Sequence, residues 1–132
     1  MPRYAHADFL DGGSTAFIAA CDVVYLVDAY TTSYATASGS AKIGEAALVS
    51  GDFSVAGADG AARVMTLAIS GKSAGNAAKA VADGTNMHLV FCNSSASKVL
   101  YVTEESTDQP VTLGNPVSFN SSPTYTFAQP TA

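Results

Sequence analysis

Between residues 86 and 103 the chain reads "NMHLVFCNSSASKVLYVT": two runs rich in β-branched and aromatic residues, 86–92 and 98–103, joined by the polar loop Asn93 to Ser97. A run that is apolar at consecutive positions fills both faces of a strand, and a short polar link between two such runs turns the chain back on itself. The stretch predicts a β-hairpin. Apolarity on both faces of both arms predicts that the hairpin lies inside a sheet and not at its edge.

The same logic extends along the chain. "DVVYLVDAY" (22–30) reads as a strand covered on both sides, and "DFSVAGADGAARVMTLAIS" (52–70) as a short strand, a turn at Gly57 to Gly60 and a second strand with Met65, Leu67 and Ile69 on one face. Beyond the acidic loop Glu104 to Asp108, short strands are expected around 111–113 and 117–120, punctuated by Pro110 and Gly114–Asn115–Pro116, and a last one near 124–128. Closely spaced turn signals of this kind predict an all-β fold: a single β-sandwich, with a jelly roll as one form of it, carrying short helical or irregular segments. The length, 132 residues, suits one domain over 1–132, with 1–13 as an N-terminal arm.

Two Ala-rich segments depart from the pattern. "GSTAFIAACD" (13–22) reads as a short helix capped by Ser14 or Thr15, whereas "SAGNAAKAVADG" (73–84) offers no large apolar residue for a helix to dock and reads as a mobile or partner-ordered loop.

Charge narrows the functional classes. Only 13% of residues are charged, about half the ~25% usual in globular proteins. Small neutral side chains dominate instead, a surface suited to burial against other protein. The six basic residues, Arg3, Lys42, Arg63, Lys72, Lys79 and Lys98, are scattered singly within a net charge of −5, so no basic footprint for nucleic acid is present in the sequence. The apolar stretch Ala16 to Val27 is broken by Asp22 and falls short of the ~20 residues of a membrane span, which makes it core rather than membrane anchor. The N-terminal residues lack the pattern of a secretory leader, and synthesis in the cytoplasm is the corresponding expectation.

No motif places a nucleophile beside a base or defines a cofactor site. Gly71–Lys72–Ser73 matches the tail of a phosphate-binding loop, but Thr66 stands where its first glycine belongs. His88 and Cys92 are four residues apart, which on a strand separates them by ~13 Å at ~3.3 Å per residue. His88 is expected to be a satisfied sheet histidine. Glu104, Glu105 and Asp108 lack the alternation of a calcium loop and read as a solvated turn. Cys21 and Cys92 are too few for a disulfide scaffold and stand as buried free thiols or as one disulfide.

Several stretches resemble those of small structural proteins of tailed bacteriophages: "ADFLDGG" (7–13), "YLVDAYTTSYAT" (25–36), "GDFSVAGADGAARVMTLA" (51–68), "VLYVTEESTDQPVTLGNPVSF" (99–119) and "YTFAQP" (125–130). The resemblance implies a virion protein made in the host cytoplasm. Its expected role is that of a capsid decoration, or cement, protein that bridges capsomers, or else that of a head–tail, collar or tail component. The implied partners are the major capsid protein or other virion proteins; the low charge and abundant small residues add the expectation of a homo-oligomer, for which the resemblance favours a trimer. No catalytic residue or cofactor is implied.

Within that expectation, Tyr4, Phe9 and Leu10 in the segment before the first strand are candidates for docking on a partner, the alternative being that Phe9 and Leu10 cover one end of the domain's own core. A receptor- or glycan-binding module is the alternative, with Tyr4, Tyr30, Tyr34, Tyr101 and Tyr125 as stacking candidates; a small hydrolase built on His88 is a further one.

Overall fold

The computed structural model describes residues 7–105 and 110–129, with backbone alone at 7–10. The elements are α1 (Ala7–Ala20), β1 (Val23–Val27), α2 (Tyr34–Ser38), β2 (Lys42–Ala47), β3 (Phe53–Ala56), β4 (Arg63–Leu67), β5 (Ser73–Asn76), β6 (His88–Asn93), β7 (Lys98–Glu104), β8 (Pro116–Ser118) and β9 (Thr124–Phe127). The fold is all-β, with every strand pair antiparallel. The chain divides into two compact units: one takes in 49–68 with the described parts of 1–20 and 122–132, the other 21–48 and 69–121.

The larger unit is built on a four-stranded sheet in the order β2-β1-β6-β7. All five residues of β1, "VVYLV", are buried, as expected of a β-branched strand with a neighbour on each side. On one face Val23, Tyr25, Val27, Val90 and Cys92 form a core with Ala37 of α2 and Ala41, against which Tyr34, Val99 and Val102 pack. The short helix α2 starts at Ser33, whose hydroxyl accepts from the Thr36 N–H at 3.3 Å.

The Ala-rich segment 73–84, expected to be a loop, is in large part an ordered ribbon against 111–119. β5 pairs with β8, Val81 and Val111 exchange two backbone hydrogen bonds of 2.9 Å, and Gly71 and Phe119 are joined by an N–H to carbonyl bond of 2.8 Å. The reason is close approach. Ala74 is buried beside Gly44 of β2, where an added Cβ would overlap the Ala74 carbonyl, and the Ala78 N–H donates to Ile43 at 2.8 Å. Small side chains here are the condition for packing backbone on backbone, which a search for large apolar residues misses.

The smaller unit is a three-stranded sheet, β3-β4-β9, with α1 packed on β3 and β4. Phe17 meets Phe53 edge to face at 5.5 Å, while Met65 and Leu67 are buried. A helix is expected to start at Ser14 or Thr15, yet α1 begins at Ala7, so residues 7–13, expected as an arm, are helical and Gly12–Gly13 lies mid-helix. Crowding explains a glycine at 13, and an ion pair ties the same stretch of helix to β4. A Cβ on Gly13 would sit 3.0 Å from the Phe127 ring, and Asp11 forms a two-pronged ion pair with Arg63 of β4, Oδ1 to Nε at 2.8 Å and Oδ2 to Nη2 at 3.0 Å.

Candidate assembly interface

The hairpin expected from 86–103 is present as β6 and β7, but the interior position expected for both arms holds for β6 alone. β6 lies between β1 and β7 and its first five residues are buried; β7 is an edge strand that pairs, among the described residues, only with β6. Two-sided apolarity records that both faces are covered or await cover. It does not say which strand lies alongside.

Along β7, Val99, Leu100, Tyr101, Val102 and Thr103 are all half-buried while Lys98 and Glu104 at the ends are exposed. Residues Val99 to Val102 line an open groove of about 360 Å³ whose other wall is Tyr30 and Thr32. Tyr30 is 66% exposed, among the most exposed large apolar side chains of the described residues. Its ring rests edge to face on His88 at 5.7 Å. On the other sheet face Tyr101 stacks with Phe91 at 6.1 Å. The register slips between Phe91 and Cys92, leaving Leu100 as the extra residue of a bulge.

Both ends of the hairpin are pinned. At the loop, Asp22 accepts from the Ser94 N–H at 2.8 Å and from the Ser94 hydroxyl at 2.6 Å. At the far end Glu105 is buried; its N–H donates to the Met87 carbonyl at 3.0 Å, and its carboxylate accepts from the Asn120 N–H at 3.3 Å and from the Ser121 hydroxyl. The solvated turn expected at Glu104 and Glu105 therefore contains a structural acid, which composition alone did not reveal. Asp108 lies outside the described residues. Glu104, exposed, accepts from the Asn86 amide at 3.3 Å.

The other candidates fall in different places. Tyr4 lies outside the described residues; Phe9 and Leu10 belong to α1, and their side chains also lie outside the description. Cys21 and Cys92 are free, buried thiols. Burial pushes the Cys21 thiol up to about 12 and the Cys92 thiol to about 11, so neither is activated as a nucleophile. His88 is nearly buried, with Nδ1 at 3.2 Å from the Asn86 carbonyl. Of the tyrosines, Tyr30 and Tyr101 both border the β7 groove but the Tyr101 ring turns to Phe91 on the other sheet face, Tyr34 turns its hydroxyl to Tyr25 at 3.3 Å, and Tyr125 lies on β9 against Phe127 at 4.9 Å. Among the described residues no three His, Cys, Asp or Glu side chains group as a metal site, and no helix is long and apolar enough to cross a membrane.

Compared with known proteins, the chain matches no family model, no curated protein and no solved structure.

Proposed function

We propose that the chain is a virion structural protein of a tailed bacteriophage, a capsid decoration protein that stabilises the head by bridging capsomers. The resemblance of its strand and turn segments to such proteins supplies the class. The single observation that carries the mechanism is the open edge of β7, where Val99 to Val102 and Tyr30 present half-exposed apolar surface at a row of backbone groups. On an isolated monomer such an edge is an aggregation hazard. In a lattice it is a docking strip, and many modest interfaces add up to a strong shell.

The test is binding to heads assembled without this chain. Saturable co-sedimentation, with heads that then withstand heating better, is the expected result, and Leu100→Asp should abolish both. Absence of binding by the wild-type chain would overturn the proposal. The exposed Tyr30 ring favours a second reading, a glycan-binding module, for which saturable glycan binding lost in Tyr30→Ala would be the corresponding result.

A further inference from the structure

The ends of β7 carry opposite charges: Lys98 opens the strand, Glu104 closes it, and the residues between are apolar or neutral. Laid antiparallel against itself about Tyr101, this sequence sets each Lys98 opposite Glu104 of the other copy. Laid parallel, it stacks lysine beside lysine and glutamate beside glutamate. From this charge order together with the open edge, we infer that the occupant of the β7 groove is the β7 strand of a second copy of this chain, paired antiparallel about a two-fold axis.

The backbone is ready for a neighbour. The Glu105 N–H donates to the Met87 carbonyl at 3.0 Å, and antiparallel strands alternate inward- and outward-facing residues. Counting back from Glu105, Thr103 and Tyr101 turn their peptide groups to β6, while Glu104 and Val102 turn theirs outward. The incoming strand would run past Tyr30 and Thr32, which already wall the groove on the side where Val99 and Val102 pack. A two-fold contact is isologous, so one strip serves both partners.

Bulges and edge lysines also act as guards that keep sheet edges apart, and both occur here at the Lys98 half of the strand. Their effect is to limit the pairing to a short segment. A single strand pair is also smaller than the ~1,600 Å² of a standard interface. The dimer is therefore weak and concentration-dependent, suited to reinforcement by other contacts. The inference rests on the assembly reading of the same strip, but it holds or fails in purified protein without any capsid.

Sedimentation velocity on four samples tests it: wild type, Lys98→Glu, Glu104→Lys, and an equimolar mixture of the two variants. Wild type is expected to dimerise as concentration rises. Each variant alone places like charges at both ends and should self-associate roughly tenfold more weakly, whereas the mixture restores opposite charges and should recover the wild-type level. Circular dichroism of the variants should match wild type and their melting should lie close to it, because both side chains are exposed and Glu104→Lys gives up only the exposed hydrogen bond from Asn86. A wild-type monomer at every concentration would overturn the inference, as would variants that dimerise as well as wild type, or a mixture no better than its components. Should wild type prove monomeric yet bind heads through β7, self-pairing falls and the capsid reading stands. Should charge-matched dimers form without head binding, the reverse holds.

Discussion

Asp22 and Ser94, separated by 72 positions, are joined twice, Ser94 giving its N–H to one carboxylate oxygen and its hydroxyl to the other at 2.8 and 2.6 Å. This pair ties the β6–β7 loop to the entrance of β1, and so sets where the edge strand starts. The Ser94 hydroxyl, chiefly, holds the Asp22 carboxyl below its ordinary range. A depressed carboxyl contributes stability that is present above its unfolded value of about 3.9 and is lost as pH falls through the folded value. Ser94→Ala is expected to cost roughly 1 kcal/mol at neutral pH, with the difference from wild type shrinking in acid. Urea melts at pH 7 and pH 3 measure both; an equal loss at the two values would contradict the pairing.

Gly44 is expected to resist substitution. Its missing Cβ leaves space for Ala74, whose own Cβ lies 2.9 Å from where the new atom would go. Gly44→Ala should push the β5 ribbon away from β2 and cost about 2 kcal/mol, typical of overpacking. Hydrogen exchange should show amides of 73–81 losing protection before those of β6. A neutral substitution would mean that the ribbon shifts freely.

The ion pair between Arg63 and Asp11 is partly buried, with 14% and 25% of the two side chains exposed. Arg63→Ala is expected to cost about 2 kcal/mol, the scale of hydrogen bonds to a charged group. The loss should concentrate in α1, read as faster exchange of its amides. Uniformly faster exchange across β1 and β6 would argue that α1 is not locally anchored by this pair.

Both thiols should stay silent in the native protein. Burial keeps Cys21 and Cys92 protonated, with values raised to about 12 and about 11. Iodoacetamide at pH 8 is expected to label neither cysteine until denaturant is added, then both quickly. Because these acids are raised in the folded state, their contribution is full below the unfolded value of about 8.5 and erodes as pH rises through the folded values. Stability should therefore fall in alkali, and a Cys21→Ser, Cys92→Ser double variant should lose part of that fall.

How much of this was legible in the sequence varied by element. β1, β3, β4, β6 and β9 announced themselves through β-branched and aromatic runs between turn signals, because burial on a pleated surface selects those residues. β5 did not, since its role under Gly44 requires small side chains, and those resemble loop composition. α1 was legible only in its second half: Gly12–Gly13 weakened the local signal, and the contacts with Phe127 and Arg63 come from distant sequence. The outer position of Val99 to Val102 was not legible, because two-sided apolarity marks the faces of a strand and not which strand lies alongside it. Tyr30 was named as a stacking residue, but its groove appears only once the strand order puts β7 outermost.

The most direct measurement of the central claim is a cryo-EM map of the intact phage particle with this chain traced in it. The expected map shows repeated, symmetry-related copies on the head, each with the Val99–Val102 edge buried in an interface. A particle that lacks the chain, or copies whose β7 edge faces solvent throughout, would contradict it.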